Sequence, residues 1–343
     1  MQIANKNKKT LIIAEVGPNH NGSIRQALKM IKKIAKTGAD VIKFQLASPE
    51  KVYSDDAFKA NYQKKNDESR SILEMSKKVQ LDKKDHFKLK KACEREGVKY
   101  ACSAFDIDSL KFLNEKVGLP FFKIPSGEIL STDLLEYMSK FKKPVLMSTG
   151  MSNFEEILYA LNCLKKKNPK RQIILMHCVS SYPALKKNLN LNVMDSLKKK
   201  FNKEIGYSDH SIDNKACLAA VAKGAFVIEK HVTVSKKKKG PDHKFSTEIS
   251  SFGKLVKEIR EIEKILGRKD KILLKDEINV SKVARKSLVT TKDLIKGHKL
   301  KRKDITFKRP GTGISPINLK KFLGKKLLRN KKKNRVIFSK ELS

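Results

Sequence analysis

Eight short runs rich in β-branched and other apolar residues recur along the first two thirds of the chain: Leu11–Val16, Val41–Gln45, Val98–Ser103, Phe121–Ile124, Pro144–Ser148, Gln172–Cys178, Glu204–Ser208 and Phe226–His231. Lysine-rich amphipathic stretches separate them. Ile24–Thr37 carries apolar residues at Ile24, Leu28, Ile31, Ile34 and Ala35, and Lys83–Glu96 at Phe87, Leu89 and Ala92. Strand patterns alternating with helical ones mark βαβ units and hence a parallel sheet. Eight such units within about 220–250 residues predict a (β/α)8 barrel, with a doubly wound open sheet as the alternative.

A barrel gathers its chemistry at the C-terminal ends of its strands. The runs end in polar residues there: Glu15 to Gly22 after the first, Lys43 and Gln45 in the second, and Cys102-Ser103-Ala104-Phe105-Asp106 after the third. The fourth is the most explicit, Phe122-Lys123-Ile124-Pro125-Ser126-Gly127-Glu128. Pro125 stops the ladder because it lacks an N–H, and Gly127 lets backbone approach a ligand closely. The remaining ends are Ser148-Thr149-Gly150-Met151, His177 to Pro183, Ser208-Asp209-His210 and Glu229-Lys230-His231.

Three groups of residues share that predicted rim. Lys43, Lys123, Ser103, Ser126 and Ser148 offer the charge and the directional donors that a phosphate needs. An amine as deep in an apolar run as Lys43 is costly without an anion. His210 and His231, with Glu15 or Glu229 near, can hold Mn²⁺, Mg²⁺, Fe²⁺ or Zn²⁺, or else are hydrogen-bonded core histidines. Tyr182, Gln45, Asp242 and Glu128 suit sugar hydroxyls and proton transfer, although Asp242, in a Gly-Pro-Asp-His loop, also reads as a turn cap.

Composition sets the outer bounds. A chain of 343 residues has room for one large domain and a small one. The formal charge of +41 raises nucleic acid as a partner, but the excess is lysine, not arginine, and tryptophan is absent. Base reading favours arginine forks, so the charge is read as lysine usage with a general attraction for anions. Five scattered cysteines without a C-x-x-C pair point to reduced thiols and a cytoplasmic location. The run Leu11–Ala14 is too short for an export signal, and no stretch is long enough to span a bilayer. Beyond the helix-like Phe252–Leu266 the periodicity changes to short β-like runs, Ser287–Thr290 and Asp304–Lys308, among glycines and prolines. The expected division is a barrel at 1–266, a linker at 267–281 and a small β-rich domain at 282–343.

Seven segments, at 14–22, 41–45, 122–128, 148–151, 206–210, 228–231 and 240–243, resemble in order the sialic acid synthase family. The tail, with Ala284-Arg285-Lys286-Ser287 and Lys308-Arg309-Pro310-Gly311-Thr312-Gly313, is similar to that family's antifreeze-like (SAF) domain. The resemblance implies a transferase that condenses phosphoenolpyruvate with an N-acylated amino sugar, typically N-acetylmannosamine, to give a nonulosonic acid and phosphate. It implies phosphoenolpyruvate binding by Lys43, Ser103, Lys123, Ser126 and Ser148, and Mn²⁺ or Mg²⁺ on His210 and His231. Sugar contacts would come from Glu15, Gln45, Tyr182 and Asp242. Arg309, with Arg285 in reserve, would reach the active site of the partner in a domain-swapped homodimer. Glu128, with Glu15 and Lys43, is the catalytic expectation. The family's Ser-Thr-Pro-Phe-Asp reads Cys102-Ser103-Ala104-Phe105-Asp106 here, passing a threonine role to Ser103. Legionaminic or pseudaminic acid synthesis from a 2,4-diacetamido-2,4,6-trideoxyhexose is the alternative in the same class. A Schiff-base aldolase using Lys123 and a basic non-enzymatic binding protein are the alternatives outside it.

Overall fold

In the computed structural model, which describes residues 9–343, the eight runs are strands: β1 Leu11–Glu15, β2 Val41–Leu46, β3 Lys99–Ala104, β4 Phe122–Ile124, β5 Val145–Ser148, β6 Ile173–Cys178, β7 Ile205–Asp209 and β8 Val227–Thr233. All their ladders are parallel, in the order β3-β2-β1-β8-β7-β6-β5-β4. That order is the chain order written round a ring, because β1 pairs with β8. At the seam β3 lies beside β4 without a ladder among the described residues. A doubly wound sheet would reverse strand order at a switch point and keep two open edges. The first alternative, a (β/α)8 barrel, is therefore the fold.

Period-two alternation gives each strand two faces. Ile12, Ala14, Ile42, Phe44, Phe122, Met147, Leu175 and Ile228 join the larger core, packed under the helices. Ile13, Val41, Ala101, Phe121, Leu146, Ile174, Met176 and Val227 form a second, smaller core, the plug of the barrel. The helices follow from sequence in the same way. Ile24–Ala35 begins where Ser23 Oγ accepts from Gln26 N, and it buries Ala27, Met30, Ile31 and Ile34, one stripe at helical spacing.

The connection from β2 to β3 holds three short helices, Pro49–Val52, Asn61–Asn66 and Ile72–Val79, before the longer Asp85–Arg95. A buried lysine clamps it: Lys59 Nζ donates to Asp67 O at 2.7 Å and Ser69 O at 2.8 Å. No helix among the described residues is long and apolar enough to cross a membrane.

The chain divides into two units, Met1–Gly267 and Arg268–Ser343. In the second, helix Glu277–Ala284 occupies part of the stretch read as a linker. It is followed by the antiparallel pair β10 Ser287–Thr290 and β11 Ile305–Lys308; β9 is the two-residue strand Thr247–Glu248 beside β8. The small unit has its own core of Leu288, Leu294, Leu300, Ile305, Ile314, Leu327, Ile337 and Leu342.

His86, on the helix Asp85–Arg95, is fully buried with its Nδ1 2.7 Å from Tyr100 Oη, and burial pushes its imidazole down to about 4. The unfolded chain binds a proton near pH 6.5 that the folded chain refuses, so this group costs stability as pH falls from about 6.5 toward 4. Between pH 7 and pH 5 the wild type should lose about 2 kcal/mol more than His86→Gln in urea unfolding. Parallel pH profiles for the two proteins would remove His86 from the acid response.

Candidate active site

Above the apolar plug the inward face turns polar, one register step nearer the C-terminal ends. Ile13 is followed on that face by Glu15, Val41 by Lys43 and Gln45, Ala101 by Ser103, Phe121 by Lys123, Leu146 by Ser148, and Val227 by Glu229 and His231. These side chains floor a cavity of about 620 Å³.

The floor is an ionic quartet. Lys43 Nζ lies 2.8 Å from Glu15 Oε2 and 3.8 Å from Glu229 Oε2, and Lys123 Nζ lies 3.3 Å from Glu229 Oε1. Neither lysine is more than 3% exposed. Each amine also donates to a serine: Lys43 to Ser103 Oγ at 3.1 Å and Lys123 to Ser148 Oγ at 2.9 Å. Gln45 Nε2 donates to Glu15 Oε1 at 2.7 Å, and Ser208 Oγ to Glu229 Oε1 at 3.3 Å. Burial pulls the Lys43 ammonium down, but Glu15 and Glu229 together hold it above its ordinary value. Burial lowers Lys123, and Glu229 offsets only part of this. Burial pushes the Glu15 carboxyl up, whereas for Glu229 the two lysines outweigh burial and hold it low. Glu15 Oε2 is met by the Lys43 ammonium, whereas Glu229 Oε2 accepts no hydrogen bond among the described residues.

The other phosphate candidate, Ser126, lines the cavity and its Oγ accepts from Gly150 N at 3.1 Å. A Cβ at Gly150 would stand 2.8 Å from Ser126 Oγ and 2.3 Å from Ser180 Oγ, so only glycine lets these hydroxyls converge on the backbone. The five phosphate candidates therefore face one cavity.

His210 and His231 stand together, with ring centroids 5.5 Å apart. His210 Nδ1 is 2.9 Å from Val179 O, which fixes the tautomer and leaves Nε2 with its lone pair. His231 is held well below its ordinary value by burial and by His210, and its Nδ1 has no hydrogen-bond partner among the described residues. Asp242 Oδ2 is 3.6 Å from that nitrogen, and burial, then Glu15, push the Asp242 carboxyl up to about 7. Burial lowers His210, but Cys178 and Val179 O outweigh it and hold that imidazole above its ordinary value, so a divalent cation would compete with a proton for His210 Nε2 and find His231 already neutral. No cluster of three or more His, Cys, Asp or Glu side chains suits one among the described residues.

Tyr182, Gln45 and Asp242 line the same cavity. Glu128 does not: its carboxylate accepts from Ser131 Oγ, although its neighbours Ser126 and Gly127 are lining residues. Burial raises the Glu128 carboxyl. Arg309 and Arg285 lie exposed in the second unit, where Arg309 Nε donates to Ala284 O at 2.9 Å.

Sequence reasoning set Glu229 beside the histidines, not between the lysines. Its signal was present, since Glu229 stands two residues before His231 and must share its face. The segment Ala47–Gln80, which builds one wall of the cavity, was not recognised. Its signal was length, because the β2–β3 connection is far longer than an ordinary βα loop.

Comparison with known proteins adds a second line of evidence. The NeuB family profile matches residues 30–271 and that of the SAF domain residues 285–342. The chain is 44% identical to an N,N'-diacetyllegionaminic acid synthase of Campylobacter jejuni, over 96% of this chain and 99% of that protein. It is 34% identical to a pseudaminic acid synthase of the same species, over 95% of each. A crystal structure of the N-acetylneuraminic acid synthetase of Leptospira borgpetersenii in complex with citrate superposes with a TM-score of 0.71. That protein is 34% identical, over 82% of this chain and 94% of its own.

Removing Glu229 leaves Lys123 without a carboxylate within 4 Å among the described residues. Glu229→Gln should cost about 3 kcal/mol, the scale of breaking a buried ion pair on one side. Inorganic phosphate should raise the melting temperature of the variant more than that of the wild type, by replacing the lost charge. Equal phosphate shifts in the two melts would show that anions do not reach the quartet.

Proposed function

The chain belongs to the NeuB family, and on that premise we propose that it condenses phosphoenolpyruvate with a 2,4-diacetamido-2,4,6-trideoxyhexose to give N,N'-diacetyllegionaminic acid and phosphate. The observation that carries the reaction is the floor of two buried lysines and convergent serines, a ready phosphate site. The choice of acceptor rests on identity: 44% to the legionaminic acid synthase against 34% to the N-acetylneuraminic acid synthetase. N-acetylmannosamine, the acceptor expected first from sequence, gives way to the diacetamido sugar.

In this reading Lys43, Lys123, Ser103, Ser126 and Ser148 hold the phosphate and bring C3 of phosphoenolpyruvate against the open-chain aldehyde of the sugar. A carbon–carbon bond forms, the aldehyde oxygen takes a proton, and the positive charge left at C2 is quenched by water. The proton of that water passes to a carboxylate, and the tetrahedral intermediate collapses with loss of phosphate. Glu15, with Lys43 beside it, orients the reacting end, and Gln45, Tyr182 and Asp242 grip sugar hydroxyls. Glu128 takes the water proton, for which its side chain must leave Ser131 and turn inward from the lining turn that carries it. His210 and His231 would hold Mn²⁺ or Mg²⁺. When bound, the cation supplies Lewis-acid polarisation of the aldehyde. Arg309 of the small unit is assigned to the partner's sugar in a homodimer, and the division 1–266, 267–281 and 282–343 is retained for that arrangement. The five free cysteines suit a reducing, cytoplasmic setting.

Phosphate release from phosphoenolpyruvate with Mn²⁺ should be fastest with 2,4-diacetamido-2,4,6-trideoxymannose, slower with N-acetylmannosamine, and lost on chelation. Borohydride in the presence of substrate should not inactivate. Glu128→Gln should abolish turnover yet still bind phosphoenolpyruvate. Faster turnover of N-acetylmannosamine would overturn the acceptor assignment, and release with neither sugar would overturn the reaction itself.

A further inference from the structure

The cavity has two unlike sides. Its charged lining, Glu15, Lys43, Lys123, Glu229 and Asp242, comes from the strands and the β8 loop, with the two histidines among them. The wall contributed by Ala47–Gln80 has no charged residue at all. Composition does not explain this, because the segment itself contains Lys51, Lys59, Lys64, Lys65, Lys77 and Lys78. Helix Ile72–Val79 shows the sorting within one element. Met75, Ser76 and Val79 line the cavity, while Lys77 and Lys78 are exposed, Lys77 pairing with Glu50 at 2.8 Å.

The wall is also fixed in place. Tyr62 packs on Tyr182 and Phe245 with ring centroids 4.9 and 5.9 Å apart, and Asn66 Nδ2 donates to Pro241 O at 3.1 Å. The Lys59 clamp closes its far side. Gln80 Oε1 accepts from Ala47 N at 3.2 Å, so the amide is oriented, and its Nε2 has no partner among the described residues.

A charged floor and an uncharged wall suit two substrates of unlike charge. With its aldehyde carbon over the floor where the bond forms, the sugar can turn its other end, C4 to C6, toward this wall. Resting on the synthase reading above, we propose that Ala47–Gln80 is the element that selects the acceptor sugar. Val52, Met75 and Val79 receive its C6 methyl group, and Gln80 Nε2 donates to the carbonyl of its 4-acetamido group. An apolar pocket discriminates a methyl from a hydroxymethyl group by about 10–100-fold.

The test compares kcat/KM for 2,4-diacetamido-2,4,6-trideoxymannose and N-acetylmannosamine in the wild type, in the near-isosteric Val52→Thr/Val79→Thr protein, and in Gln80→Leu. The valine variant should shrink the preference about tenfold. Gln80→Leu should lower kcat/KM about tenfold for the diacetamido sugar only. KM for phosphoenolpyruvate should stay at the wild-type value in both, which shows that the floor is intact. An unchanged ratio with active variants, or equal losses for both sugars, overturns the assignment of the wall while leaving the synthase reading standing. A wild type that turns over neither sugar overturns that reading, and this one with it.

Discussion

The quartet of Glu15, Lys43, Lys123 and Glu229 is the constraint on which the rest of the barrel depends. Two ammonium groups this deeply buried are tolerable only with counter-charges at hydrogen-bond range. The carboxylates come from the first and last strands of the sheet, and the lysines from β2 and β4. Glu15 and Lys43 are register partners in the β1–β2 ladder, and Glu229 lies one strand away because β8 pairs with β1. Barrel closure is thus what neutralises Lys123. A sheet opened at the β3/β4 seam would leave Lys43 near both carboxylates, because β2, β1 and β8 are neighbours, but would part Lys123 on β4 from Glu229 on β8.

This neutrality has a chemical consequence. A bare pair of buried lysines would be a strong anion trap, but their pKa values would fall and the charge that makes them useful would be lost. The carboxylates keep Lys43 charged before any ligand arrives, at the expense of competing with it. Glu229 leaves one oxygen without a hydrogen bond among the described residues, and each lysine is shared with a serine that lines the cavity. The site is preorganised, with its donors set before substrate binds.

How much of this was legible in the sequence follows from the range of the information. Strand positions are local, and the strands begin within two residues of the runs that predicted them, because β-branched runs and period-two alternation are written in consecutive residues. The facing direction of Lys43, Ser103, Lys123, Ser148 and His231 was legible for the same reason. The partners of the lysines were not, since Glu229 meets Lys43 and Lys123 only through strand order. The orientation of Glu128 depends on Ser131, one turn further along, and the strand pattern is silent about it. The wall from Ala47 to Gln80 lacks strand periodicity and its helices are too short for a 3.6-residue pattern to stand out, so only its length marked it.

That wall and the floor belong to different parts of the energetics. No hydrogen bond or ion pair joins the quartet to Ala47–Gln80 among the described residues; the quartet is closed by strand residues alone. The wall is held instead by Lys59, by Asn66 on Pro241 and by the Tyr62 aromatic stack. Substitutions in it can reshape the pocket without uncovering a buried charge, and by the same physics a change in the quartet cannot be confined to one substrate. Matches over 82–96% of this chain to proteins named for three different acids are what such a division allows. On the reading proposed above, the reacting ends would share the charged floor, and the part of the sugar that differs would meet the uncharged wall.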